Sequence, residues 1–305
     1  MKIGVVIDSG GESGTLAGMV EAIRRAEEAG FGFVSLPNIF GFDALTVLAL
    51  AGGVTSRIEL TTGVVPTYPR HPVALAQQAL TVQAACGGRL VLGIGLSHRL
   101  VIEDMFGLDY SRPVPHAREY LTVLNGLLGG ERLVFKGEEY KVAAQFSVPG
   151  ASRPQLVIAA LGPAMLRLAG RLADGTVTWM GSVEYLRDTA VPAISEAATK
   201  AGRPAPRVIA GFPVCVTDEP AAARAIAEQA FVVYGQLPSY RATLDRGGAA
   251  GPGDVAIVGD ERAVEQQIAA VAATGATDFA ASIFGPNPQR TRDLLAGIAS
   301  GRVGD

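Results

Sequence analysis

The stretch Leu156–Leu166, LVIAALGPAML, begins like a buried strand and ends like a helix. Gly162 and Pro163 lie at the change of direction, since glycine lets a ligand approach the backbone and proline suits the first turn of a helix. The backbone N–H groups of Ala164 to Leu166 would then be free to bind an anion. A tight turn that binds no ligand would use the same two residues. In either case the stretch predicts a strand followed directly by a helix.

The same unit recurs along the chain, where longer runs that suit helices separate short apolar runs. We predict eight strands, in the segments KIGVVI, FGFVSL, RIELTTGVV, RLVLGIG, QLVIAAL, GTVTW, RVIAGFPVCV and TDFAASIF. Eight parallel strands favour a closed (β/α)8 TIM barrel over an open doubly wound sheet. We expect residues 1–305 to form a single domain with insertions near 131–150 and 235–259. The first should be a hairpin, and the second, rich in glycine and proline, an irregular loop.

The composition describes a compact protein without a charged binding surface. Of the 305 residues, 49% are hydrophobic and 18% are charged, and the formal net charge is −3. No basic stripe suits a nucleic acid or a membrane surface, so we predict neither partner. No apolar run approaches the roughly 20 residues of a membrane span, and the amino-terminal segment does not suit a signal peptide, so we expect a cytoplasmic protein. Cys86 and Cys215 lie in apolar surroundings and should be buried thiols.

The sequence contains few residue patterns that support a reaction without an organic cofactor. The three histidines, His71, His98 and His116, show no metal-ligand spacing, so we predict no metal site. The segment Leu92–His98, LGIGLSH, lacks the last glycine of a dinucleotide fingerprint, and Ser97 lacks the second glycine of a nucleophile elbow. If the chain is an enzyme, we expect a bound organic cofactor at the carboxyl ends of the strands to supply the reactivity.

Three segments in order, TGVVPTYPRHP, GRLVLGIG and LGPAML with the later ADG, resemble the luciferase-like monooxygenase superfamily. Within it, the chain is similar to oxidoreductases that use the deazaflavin coenzyme F-420. The resemblance implies a bacterial-luciferase-like barrel, often a homodimer, that transfers a hydride between the deazaflavin and a small organic substrate. An FMN-dependent monooxygenase of the same superfamily is one alternative, and a deazaflavin-binding protein without catalysis is another.

The resemblance also implies where the cofactor binds. The family usually has a bulge with a non-proline cis peptide bond behind the central ring of the flavin. A further segment lines the ring edge and binds the phosphate tail, and residues at the end of the fourth strand lie beside the cofactor. The matching residues, with one added position after the second strand, are Asn38, Gly63, Val64, Val65, Ser97, His98, Ala160, Leu161, Gly162, Pro163, Ala164 and Met165. Candidates for contact with the poly-glutamate tail are Arg99, Arg112 and Arg118.

The chain departs from the family at the proton donor. Many deazaflavin members carry an aspartate or a histidine just after the second strand, where this chain has Asn38. An asparagine forms hydrogen bonds but does not donate a proton usefully near neutral pH. His98 is therefore the first catalytic candidate, and Asn38 is the second.

The third helix, which Pro72 should begin and His71 should cap, raises the question of a partner chain. Two apolar stripes run along it, one through Val73, Ala76 and Leu80 and the other through Leu75, Ala79 and Val82. A barrel helix needs one inward stripe. The second stripe therefore predicts a dimer contact, unless a neighbouring helix of the same chain covers it.

Overall fold

The structure, a computed structural model, describes residues 1–8, 14–130 and 132–302. The remaining parts of the predicted domain, including residue 131 of the first insertion, lie outside these ranges. The strands within them are β1 (Lys2–Val6), β2 (Phe33–Leu36), β3 (Glu59–Thr62), β4 (Val65–Pro66), β5 (Leu90–Gly95), β6 (Leu133–Lys136), β7 (Lys141–Ala144), β8 (Gln155–Ala159), β9 (Gly175–Trp179), β10 (Arg207–Val216), β11 (Ile257–Gly259) and β12 (Asp278–Ile283).

Two π-helical segments, Leu100–Met105 and Leu186–Ala190, lie in the same ranges. The α-helices pack mainly around the outside of the strands. They are α1 (Leu16–Ala29), α2 (Ala44–Gly52), α3 (Pro72–Ala85), α4 (Pro113–Leu128), α5 (Pro163–Leu172), α6 (Val183–Tyr185), α7 (Val191–Lys200), α8 (Pro220–Ala230), α9 (Val232–Gln236), α10 (Pro238–Arg246), α11 (Pro252–Val255), α12 (Glu261–Ala273) and α13 (Pro288–Ala299). None of them is long and apolar enough to cross a membrane.

Eight strands close into a parallel barrel, so the predicted (β/α)8 fold is confirmed. The order around the ring is β1, β2, β3, β5, β8, β9, β10 and β12, and β12 pairs with β1. Alternate residues point inward, and Phe33, Val91, Val157, Ile209 and Ala280 form a cluster inside the ring. A larger apolar cluster fills the layer between the ring and the helices. The site at the carboxyl ends of the strands therefore stands on a filled core.

Local sequence explains where several helices begin and end. The Thr15 hydroxyl accepts a hydrogen bond from the Gly18 amide at the start of α1, and Gly30 ends that helix with a φ of 91°. His71 caps α3 as predicted, because its Nδ1 accepts a hydrogen bond of 3.3 Å from the Val73 amide.

The first insertion is a hairpin, as predicted. Strands β6 and β7 pair antiparallel, with Lys136 opposite Lys141. The buried Glu119 of α4 holds the turn, since its carboxylate accepts hydrogen bonds of 2.8–3.0 Å from the amides of Glu138, Glu139 and Tyr140. This carboxylate fixes the hairpin against the barrel helices.

The second insertion differs from the irregular loop predicted at 235–259. It contains α10, α11, the carboxyl end of α9 and the short β11. Pro238 and Pro252 begin helices, where the missing N–H needs no partner, and Gly247 and Gly248 lie between helices. The prediction was wrong because Pro238 and Pro252 are compatible both with a loop and with a helix start, and only the loop was considered for this segment.

The dimer contact predicted along α3 is also wrong. Leu75, Ala79 and Val82 are buried within the chain itself, where α2 and α4 pack against α3. Both apolar stripes of this helix therefore belong to the core of one chain. Cys86 and Cys215 are buried free thiols, as predicted.

Charged side chains close the amino-terminal end of the barrel. Arg207 of β10 donates hydrogen bonds of 2.6 and 2.9 Å to Asp278 of β12 and one of 2.7 Å to Glu59 of β3. Lys2 of β1 lies 2.6 Å from Glu59. Burial acts to raise the pKa of Glu59, but the hydrogen bonds from Lys2 and Arg207 outweigh it, and the pKa lies below its ordinary value. One guanidinium thus bridges two carboxylates from different strands, and Lys2 supplies the second positive charge.

Replacing Arg207 with methionine should destabilise the barrel strongly. The variant leaves Asp278 and Glu59 without their shared cation, which costs about 3–5 kcal/mol for a buried pair. Urea unfolding of both proteins measures the difference. Arg187→Met is the control, because Arg187 pairs with Asp188 on the surface and should lose less than about 1 kcal/mol. Equal losses in the two variants would contradict the role of Arg207.

Candidate functional site

The strand is interrupted after β3, where the resemblance implies a bulge with a cis peptide bond. The bond between Gly63 and Val64 is cis, and β4 begins at Val65. A Cβ atom on Gly63 would lie 2.2 Å from the Ser35 Oγ, and one on Gly95 would lie 2.5 Å from a methyl group of Val64. Glycine at both positions therefore allows β2, β4 and β5 to approach one another at the mouth.

Ser97 and His98 follow β5 at the same mouth. Ser97 has a φ of 59°, in the left-handed region, and its carbonyl accepts a hydrogen bond of 3.3 Å from the Tyr110 hydroxyl. His98 is half-buried, and its ring lies 5.7 Å from the ring of Tyr240 in α10. Burial lowers the pKa of His98 below its ordinary value, so the imidazole is neutral near pH 7.

The start of α5 provides the open part of the site. Gly162 is the residue before the helix, and no atom lies within 4 Å of the place where its Cβ would be. The Leu166 amide already donates to the Gly162 carbonyl at 3.0 Å. The predicted anion site therefore loses one donor, and the first-turn amides of Ala164 and Met165 remain.

The other residues of the predicted segment shape this turn. Ala160 is buried, whereas Leu161 and Pro163 are half-buried at the rim. The Leu161 carbonyl accepts a hydrogen bond from the Tyr185 hydroxyl. This hydrogen bond ties the turn after β8 to α6.

Asn38, after β2, forms a hydrogen bond with the backbone at the start of the next helix. Its Oδ1 accepts a hydrogen bond of 2.9 Å from the Ala44 amide at the start of α2. The following Ile39 and Phe40 are each 64% exposed. The side-chain oxygen of Asn38 is thus engaged with the protein, and apolar surface lies beside it.

Aromatic side chains of α9 and α10 cross the mouth, which the sequence did not lead us to expect. The Tyr240 ring lies 4.9 Å from that of Tyr234, which lies 6.0 Å from that of Trp179 at the end of β9. With His98, these rings form a series from the end of β5 to the end of β9. The clustering of aromatic residues in FVVYGQLPSY, 231–240, is the signal that could have indicated it.

The mouth contains donors that lack acceptors, so it fits a heterocyclic cofactor with carbonyl oxygens and an anionic tail. The buried indole Nε1 of Trp179 has no hydrogen-bond partner among the described residues. The amides of Ala164 and Met165 face the space beside Gly162 at the helix start. An anionic group would suit these two amides, and an acceptor oxygen would suit the indole N–H.

The three candidate tail arginines lie in different surroundings. Arg99 is exposed and lies 3.3 Å from Glu103, and Arg118 is exposed. Arg112 pairs with Glu138 and Glu139 of the hairpin turn. The carboxylates around Arg112 make it the least suitable of the three for an acidic tail.

A side cavity of about 200 Å³ lies between α4, the hairpin turn and the loop before α4. His116 stacks on Tyr68 at 3.9 Å, and its Nε2 lies 2.9 Å from the Thr67 hydroxyl. Its Nδ1 lies 3.3 Å from the Tyr140 hydroxyl. Burial lowers the pKa of His116 to about 4. The sequence gives no local signal of this cluster, because its members lie far apart along the chain.

A larger cavity, of about 540 Å³, lies beside the starts of α12 and α13 and contains none of the predicted site residues. Arg290 in its wall is held between Asp218 and Glu261. No group of three or more histidine, cysteine or acidic side chains in the described ranges could hold a metal ion.

Comparison with known proteins identifies the family to which the chain belongs. The profile of the luciferase-like monooxygenase family matches residues 1–278. An uncharacterized protein of Mycobacterium tuberculosis is 31% identical over 221 residues, which cover 68% of this chain and 65% of the relative. An F-420-dependent glucose-6-phosphate dehydrogenase of Microbacterium testaceum is 35% identical over 168 residues, which cover 53% of this chain and 49% of the relative. The matches thus span about two thirds and one half of these relatives.

A solved structure supports the fold over nearly its whole length. The coenzyme F-420-dependent tetrahydromethanopterin reductase from Methanopyrus kandleri superimposes with a TM-score of 0.82 at 23% identity. The superposition covers 97% of each chain. At this identity the likeness establishes the shared barrel.

His116 should make stability depend on pH. Its folded pKa is about 4, below the ordinary value near 6.5, so it favours the folded state fully above pH 6.5 and progressively less as the pH falls towards 4. Between pH 7 and 4.5, wild type should lose about 2 kcal/mol more unfolding free energy than His116→Gln. Urea unfolding at both pH values measures this. Between pH 7.5 and 9 the two proteins should keep a constant difference, and parallel curves at low pH would contradict the prediction.

Proposed function

Because the chain belongs to the luciferase-like monooxygenase family, we propose that it is a coenzyme F-420-dependent oxidoreductase acting on a small organic substrate. The observation that carries the proposal is the open turn at Gly162, with the first-turn amides of α5 and an unpartnered indole N–H at the same mouth. The deazaflavin dependence of the Microbacterium testaceum relative supports the choice of cofactor. The homodimer and the cytoplasmic location expected from the sequence stay predictions.

In this proposal the two sides of the mouth hold different parts of the cofactor. Gly63, Val64 and Val65 would lie behind the ring, and the segment 160–165 would line its edge and bind the phosphate through the start of α5. When bound, the deazaflavin supplies a ring carbon that accepts or donates a hydride. The protein orients the cofactor and the substrate, excludes water from the mouth of the barrel and places hydrogen-bond donors where negative charge lies.

His98 is the proposed proton carrier. Its neutral imidazole can accept a proton at one nitrogen and return it, whereas Asn38 can only form a hydrogen bond. Asn38 already accepts from Ala44, which favours a positioning role for it. The aromatic series that ends at Tyr240 covers His98 and limits the access of water.

Binding of purified protein to coenzyme F-420 and, separately, to FMN tests the cofactor. We expect a dissociation constant for F-420 in the micromolar range or below, and weaker binding of FMN, both measured from cofactor fluorescence. Tighter binding of FMN would favour an oxygen-using monooxygenase. Failure to bind either would overturn the proposal. Tight F-420 binding without turnover of any substrate would favour the non-catalytic alternative.

Gly162→Ser is the matched variant for this titration. A serine side chain at this position caps the first-turn amides of a helix, so it would compete with an anionic group for the Ala164 and Met165 amides. We expect unfolding free energy to stay equal or rise by a few tenths of a kcal/mol, while F-420 binds about tenfold more weakly. Unchanged affinity would remove the start of α5 from the proposed site.

His98→Gln should separate catalysis from binding. The glutamine retains hydrogen-bonding capacity but cannot carry a proton, so turnover should fall by roughly 10²-fold or more. The assay uses F-420-loaded protein and whichever ketone, aldehyde or enone the wild type converts. The dissociation constant of F-420 should change by less than about threefold, which corresponds to a small fraction of the binding free energy. A variant that keeps a tenth or more of the wild-type rate would exclude His98 as the proton carrier.

A further inference from the structure

Trp179 is the single tryptophan of the chain and the last residue of β9. Val177, two residues earlier, packs against the cluster inside the barrel. Residues two apart on a strand point to the same side, so the indole of Trp179 lies on the inner side at the rim. Ligands of (β/α)8 barrels bind at this end.

The neighbouring strand fixes which edge of the indole faces which way. A Cβ atom on Gly211 of β10 would lie 3.0 Å from Cε3 and 3.7 Å from Cζ3 of Trp179. The six-membered ring thus lies against β10, and Nε1, on the opposite side of the indole from Cε3, faces away from it. On the other side of β9 lies β8, which leads into the turn at Ala160 to Gly162.

The indole N–H is buried and lacks an acceptor. The rings of Phe231 and Tyr234 cover the indole edge-on, at 5.7 and 6.0 Å, and neither provides a hydrogen bond. Other unpartnered buried side-chain atoms in the described ranges are hydroxyls, those of Thr61, Tyr68 and Thr178. An unsatisfied buried donor is unfavourable, and its location at a ligand-binding rim suggests that a ligand supplies the acceptor.

We propose that the indole N–H of Trp179 donates a hydrogen bond to an acceptor oxygen of the bound deazaflavin, which makes Trp179 a cofactor-binding residue. The inference rests on the proposed function. A deazaflavin has carbonyl oxygens on its ring and hydroxyl oxygens on its ribityl chain. The N–H edge faces away from β10, and β8 with the Ala160–Gly162 turn lies on that side of β9. The rings of Phe231 and Tyr234 would then hold the indole in place.

Trp179→Phe tests the contact because it keeps an aromatic ring against Phe231 and Tyr234 and removes the donor. We expect the dissociation constant of F-420 to rise about threefold to tenfold. The ribityl deazaflavin core, which lacks the phosphate and the glutamate tail, should lose the same factor. Tyr120→Phe is the control: its hydroxyl donates to the Arg70 carbonyl at 2.9 Å, so the variant should lose stability and keep wild-type affinity.

The single indole gives a direct readout by proton–nitrogen NMR. On addition of F-420 or of the core, the one indole N–H resonance should move downfield and exchange more slowly with water. Ligand binding, followed by deazaflavin fluorescence, without movement of this resonance would overturn the inference and leave the proposed function intact. A resonance that moves only when a substrate ketone is added would assign the N–H to the substrate instead. Failure of both ligands to bind would reject the proposed function, and the inference with it.

Discussion

The pairing of β9 with β10 closes the barrel, and the arrangement of the mouth depends on its register. The ladder runs from Arg207 opposite Gly175 at the bottom to Gly211 opposite Trp179 at the top. A side chain on Gly211 would meet the Trp179 ring, so the glycine makes room for the indole at the rim. A one-residue shift of β9 would turn Trp179 away from the mouth, and a one-residue shift of β10 would place Arg207 on the wrong face.

The two ends of the barrel differ in whether their polar groups have partners within the chain. At the amino-terminal end, Arg207 and Lys2 satisfy the carboxylates of Glu59 and Asp278 within the chain. At the carboxyl-terminal end, the Trp179 N–H has no hydrogen-bond partner among the residues that the structure describes, and the first turn of α5 leaves amides without intrahelical acceptors. Ion pairs that stabilise the fold and hydrogen-bond donors without acceptors thus lie at opposite ends of the same strands. This arrangement is expected when one end of a barrel maintains the fold and the other binds a ligand.

Sequence patterns predicted the parts of the structure that depend on neighbours along the chain. The eight barrel strands, the hairpin and the turn at Gly162 follow from local alternation, glycine and proline. The stacking of His116 on Tyr68 could not be predicted, because it requires a loop after β4 and a helix that begins 45 residues later to meet in space. The helical form of the second insertion was missed because Pro238 is compatible both with a loop and with a helix start.

The second insertion also influences the chemistry that His98 can perform. Desolvation keeps His98 neutral, and the ring of Tyr240 is part of the surface that buries it. Movement of α10 away from the mouth would admit water and bring the His98 pKa closer to its ordinary value. The protonation of this side chain therefore depends on the position of α10, because the Tyr240 ring contributes to its burial.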